Sequence, residues 1–100
     1  MTDLDPTSLS AAEQYRLLSS IVVPRPIAFV VTQGPAGWNA APFSFFTMLG
    51  VAPPTLIFSA GPRDGGEKDT ICNLRDLPEC VVHIVPEALA ARMNACAASL

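Results

Sequence analysis

Prolines cut this chain into apolar pieces, and that limits what it can build. Ten of its 100 residues are proline. Pro24 and Pro26 forbid a helix beyond Val23 and force extended backbone around Arg25. Pro53 and Pro54 break the chain again, and Pro78 stops whatever precedes it. Between these breaks the runs are β-branched and aromatic, as in strands. Residues 27–32 (IAFVVT) read as a buried strand, and Gly34-Pro35-Ala36-Gly37 as a turn. A second strand is expected over about 38–48, interrupted or bulged near Pro42, because proline cannot donate to a ladder. Residues 55–60 and 80–85 supply two more strands, with a flexible loop over 61–67.

Helices fit only in the gaps. Ser10 and Glu13 form a capping-box pattern, so a short helix starts near Ala11, with Tyr15, Leu18 and Ile21 on its inner face. The stretch before it, 1–9, is expected to be a flexible lead-in. Asp69 or Thr70 can cap a helix that runs to about Asp76. Pro86 opens a last helix with Glu87 in its first turn, and Leu89, Met93, Cys96 and Leu100 form one apolar stripe. Hairpin-like strands followed by strands separated with short helices suggest an antiparallel or mixed β-barrel with helices outside. One hundred residues make one domain at most, here taken as 1–100.

Half of the residues are hydrophobic and 15% are charged, which is apolar enough to call for cover by a partner chain or by a further part of its own chain. A net charge of −3 with no basic stripe argues against nucleic acid. The N-terminal residues hold two aspartates and no apolar core, so no secretory signal is read there. The longest aliphatic-aromatic run, 27–31, is too short to span a bilayer. Three widely spaced cysteines argue against a disulfide framework or a CxxC site, and a reduced cytoplasmic protein is the simplest expectation. Cys80 and His83 are three apart in a strand, hence on opposite faces, so no metal pair is read there. No GxGxxG follows a strand, so there is no Rossmann nicotinamide site.

Three segments can carry chemistry. EKDT (67–70) offers a lysine point charge and a helix start whose amides suit a phosphate; alone, it reads first as an exposed helix start with an ordinary cap. NAAPFSFF (39–46) sets Phe43, Phe45 and Phe46 around Ser44. A bulge at Pro42 would free backbone donors beside an aromatic wall, which suits a flat heteroaromatic ring; plain core aromatics fit equally. Strand alternation would put Phe43 and Phe45 on one face. Arg25, fixed between two prolines, either aims at an anion or is a surface residue on a strand lead-in. Ser59 and Asn73 could add polar contacts to the same pocket.

Together, in this order and spacing, SIVVPRPIAFVVT, NAAPFSFF, PPTLIFS, EKDT, CVVHIV and ALAARMNA resemble the flavin reductase-like family, from about Tyr15 to the last residue. The resemblance implies an FMN-binding split β-barrel, mainly β with short helices and Greek-key-like, usually a homodimer with the flavin near the subunit interface. It implies hydride transfer from NADH or NADPH to flavin, with an oxygenase or other electron acceptor as partner. Asn39, Ala41, Pro42, Phe43, Ser44 and Phe45 would lie along the isoalloxazine and ribityl. Ser59, Lys68, Asp69 and Thr70 would gather near the phosphate, with Arg25 as a further contact. No catalytic residue and no metal is implied. Two departures stand out. His83 occupies a position where relatives often carry asparagine, and relatives supply further strands past the equivalent of Leu100, so the barrel is expected to be incomplete in this chain. Two alternatives to an enzyme are an electron-transfer module without a nicotinamide site and an inactive truncated domain.

Overall fold

A computed structural model describes residues 3–61, 66 and 68–96. The loop expected over 61–67 lies outside these residues except for Gly61 and Gly66, as does Leu100. The lead-in contains a 3-10 turn, Pro6–Ser8, whose start is held by Asp5 accepting from the amide of Thr7. Helix α1 spans Ala11–Ile21. Its amino terminus closes as the sequence implies: Glu13 N–H donates to Ser10 Oγ, and Ser10 N–H donates to the Glu13 carboxylate.

The strands are β1 (Ala28–Gly34), β2 (Gly37–Phe43), β3 (Phe46–Gly50), β4 (Thr55–Phe58) and β5 (Val81–His83). They form two antiparallel sheets, one ordered β2-β1-β5 and one pairing β3 with β4. The β1–β2 hairpin turns over Pro35 and Ala36, with Gly34 opposite Gly37. Gly37 has a φ of 111°, a conformation that glycine alone adopts without strain. Helix α2 (Asp69–Asp76) packs on β1 and β2. A second 3-10 turn, Glu87–Leu89, leads into α3 (Ala90–Ala95). The architecture is therefore mainly β with short helices. No helix of the described residues is long and apolar enough to cross a membrane.

Val30, Ala28 and Phe43 are the buried centre, flanked by Ala41, Phe46, Phe58, Ala60 and Val82. Ala28 pairs with Phe43 and Val30 with Ala41, so register puts these side chains on one face of the three-stranded sheet. Phe58 of β4 meets Phe43 at 5.0 Å between ring centroids. That contact joins the two sheets.

Several expectations are corrected. The strand break falls at residues 44–45, not at Pro42, which lies within β2 opposite Phe29. Among the described residues β2 is an edge strand, where a missing donor is tolerated. Because the chain bends after Phe43, strand alternation does not hold across it: Phe43 is buried while Phe45 is 43% exposed. The cap of α2 is Lys68, one residue earlier than expected, and no side chain caps it. The α1 stripe is exposed, with Ile21 at 66% and Leu18 at 62%; apolar spacing names the face a helix would bury, not whether a surface lies against it. Among the described residues of the last stripe only Met93 is buried. Leu89 sits in a 3-10 turn, where three residues per turn shift it out of line. The β3–β4 pair leaves Met48, Leu49, Val51 and Leu56 exposed as well.

Candidate functional site

Three groupings of side chains run along β2 and the bend that follows it. The first is at the hairpin end. Thr32 and Asn39 are register partners on the inner face, and α2 crosses them. Asn39 Nδ2 donates to Thr70 Oγ1 at 3.2 Å, and Asn73 Nδ2 donates to Thr32 Oγ1 at 3.0 Å. Thr32, Thr70 and Asn73 are all buried. Burial of polar groups is tolerated here because each finds a partner.

Four residues further along β2, about 13 Å of strand, lies the second grouping. The Lys68 ammonium stands 5.2 Å from the centroid of the Phe43 ring. Lys68 also begins α2, so its charge sits beside an amino terminus with no side-chain cap. Asp69 occupies the first turn and is exposed.

The third grouping surrounds a cleft of about 500 Å³ between the end of α1, the Pro24–Pro26 segment and the β3–β4 sheet. Phe45, Phe46, Arg25, Ile57 and Ser59 line it. The Arg25 guanidinium lies 5.6 Å from the Phe45 ring centroid, and Tyr15 meets the same ring at 5.9 Å. Arg25 Nη1 turns back to donate to the carbonyls of Ser19 (2.8 Å) and Val22 (2.5 Å). It thereby closes the carboxyl end of α1. Arg25 Nε is buried with no hydrogen-bond partner. The Ser59 amide donates to the Phe45 carbonyl at 2.9 Å, which fixes the bend against β4.

The sequence-derived residues thus fall unevenly. Asn39, Ala41 and Phe43 share the inner face of β2, while Pro42, one residue out of phase, points to the opposite face. Ser44 is half-buried at the bend. Arg25, Phe45 and Ser59 meet in the cleft, and Lys68 and Thr70 approach β2 from α2. Asn73 does not open into the cleft: it is buried against the hairpin. Tyr15, read from sequence only as a helix-face residue, and Thr32 also belong to these groupings, and neither was read as a site residue. Thr32 reads as one more β-branched strand residue, and only pairing with Asn73, 41 positions away, reveals it. Among the described residues no group of three or more His, Cys, Asp or Glu gathers as a metal site.

The flavin reductase like domain model matches residues 19–100. The chain belongs to the flavin reductase-like domain family. Its fold is shared with two solved structures. It aligns with nitrilotriacetate monooxygenase component B from Bacillus cereus at a TM-score of 0.91 and 36% identity, over 100% of this chain and 50% of that one. The Pseudomonas fluorescens 2-nitrobenzoate 2-nitroreductase NbaA aligns at 0.85 and 33% identity, over 99% and 48%. An uncharacterized protein of Halalkalibacterium halodurans, BH2278, is 52% identical over 86 residues, covering 84% of this chain and 41% of its own. The chain spans half or less of the length of these relatives.

Proposed function

We propose that this chain carries the flavin site of an oxidoreductase that moves hydride or electrons between NADH or NADPH and FMN. The observation that carries the reading is Lys68. Its cation lies beside a helix start with no side-chain cap and over Phe43, between the Asn39 end of β2 and the cleft lined by Phe45 and Arg25. A cation at a helix start with no side-chain cap suits a phosphate, and an apolar cleft with a few polar atoms suits a flat ring. The residues therefore fit a flavin mononucleotide: Lys68, Asp69 and Thr70 with the phosphate, and Asn39, Ala41, Phe43, Ser44 and Phe45 along the ribityl and ring; Ser59, expected near the phosphate, lines the cleft with Phe45 and goes with the ring instead. The buried, unpartnered Arg25 Nε is a donor such a ring could take up. Pro42 supports this arrangement only through backbone shape.

The bound flavin would supply the hydride chemistry itself. The chain's part is to hold and to exclude. Phe45 and Phe46 keep water from one side of the cleft, Arg25 stiffens its wall, and Lys68 offsets phosphate charge. The working form in this reading is a cytoplasmic homodimer, in keeping with the exposed apolar side chains of β3 and β4. The acceptor is an oxygenase or another electron-accepting protein, a reading favoured by likeness to a monooxygenase component.

The test is nicotinamide oxidation by the flavin-loaded protein, followed by loss of NADH or NADPH absorbance. Stoichiometric oxidation supports the oxidoreductase. A loaded protein inert to both nicotinamides, yet reduced by a protein donor, replaces it with an electron-transfer module.

A further inference from the structure

The contact between α2 and the β1–β2 hairpin has a reciprocal form. On the hairpin, Thr32 and Asn39 stand side by side, one accepting and one donating. On the helix, Thr70 and Asn73 are three apart and so share a face, again one accepting and one donating. Each hydrogen bond runs the opposite way to its neighbour. A helix sliding or rotating on the hairpin would lose both and leave buried polar atoms without partners. The clasp has one further requirement. A Cβ at Gly34 would lie 2.1 Å from Asn73 Oδ1 and 2.7 Å from its Cγ, so only glycine admits Asn73 to this position.

We propose that Asn73, seated in the clearance left by Gly34, is the positioning residue of the flavin site. It fixes the attitude of α2, and through it the direction of the helix start and of Lys68. This rests on the reading of the α2 start as the phosphate end of that site. Neither Asn73 nor Gly34 touches the ligand. Their effect reaches it only through the helix they seat.

The consequence is a loss confined to the phosphate. Asn73→Ala and Gly34→Ala each weaken FMN binding about tenfold, the equilibrium equivalent of one lost buried hydrogen bond. Riboflavin, which lacks the phosphate, shifts by less than about threefold. Because Gly34→Ala acts by displacing Asn73, the double variant binds no worse than Asn73→Ala alone; additive losses would show that the two act separately. Thr32→Val removes only the acceptor at nearly constant volume, and it gives the same split should Asn73→Ala unfold.

A second reading needs no flavin. Amide hydrogen exchange of the free variants speeds up in α2 and stays unchanged in the β1–β2 ladder. Unchanged α2 exchange overturns the proposal, as does an equal loss for FMN and riboflavin. If the unmodified chain binds neither flavin while α2 exchange responds, the flavin reading has failed and the seating of α2 stands by itself.

Discussion

The Lys68 ammonium lies 5.2 Å from the ring centroid of Phe43, at the point where α2 begins. Two segments 25 positions apart in sequence thus meet as a cation on an aromatic face. The same lysine can turn toward a phosphate without leaving the helix start. Lys68→Ala is expected to weaken FMN binding about ten- to a hundredfold, the range of a charge-assisted hydrogen bond. Riboflavin binding should hardly change. Titration of both ligands by fluorescence checks this, and equal losses would refute the phosphate role.

Phe43 is the largest side chain of the buried centre and the joint between the two sheets. Phe43→Ala is expected to cost about 3–5 kcal/mol, which is most of the stability of a small domain. Urea unfolding measures it. A shift in midpoint equivalent to less than about 1 kcal/mol would show that the sheets are joined elsewhere.

Arg25 is expected to matter for α1 before it matters for any ligand. Its Nη1 holds the carbonyls of Ser19 and Val22. Arg25→Ala should fray the last turn of α1, seen as faster amide exchange over 18–22. Arg25→Lys should restore it in part, because a single nitrogen makes both bonds and an ammonium carries enough donors for two carbonyls. Unchanged exchange in both variants would contradict the capping role.

Much of this fold could be read from local chemistry. The capping box of Ser10 and Glu13, the turn at Gly34 and Gly37, and the strand read over 27–32 depend on neighbours in sequence; the first two stand as read, and the strand is found one residue later and two longer, at Ala28–Gly34. The readings that missed needed distant partners. Whether Ile21 and Leu18 are covered depends on surfaces the helix pattern does not contain. Where the chain breaks near Pro42 depends on β2 being an edge strand. The candidate site divides the same way. Lys68 and Phe43 are visible in their motifs, whereas the pairing of Thr32 with Asn73 exists only once α2 is laid on the hairpin.

The amino terminus of α1 should respond to acid. The Ser10 amide and hydroxyl beside Glu13 hold its carboxyl below the ordinary value of 4.5. A group with a depressed folded pKa contributes stability that is present above 4.5 and is lost as pH falls through the lower folded value. Helix start and carboxylate should therefore loosen together below pH 4.5. Ser10→Ala should cost about 1 kcal/mol at neutral pH and reduce that acid response without removing it, because the Ser10 amide still donates to Glu13. Circular dichroism against pH, for the chain and the variant, checks it; an identical acid profile in both would contradict it.

The central claim is that these 100 residues hold a flavin mononucleotide. Titration of the purified chain with FMN, followed by flavin fluorescence with circular dichroism on the same sample, tests it most directly. Saturable quenching by a chain with a folded β spectrum is the expected result. A folded chain that leaves FMN fluorescence unquenched would contradict it.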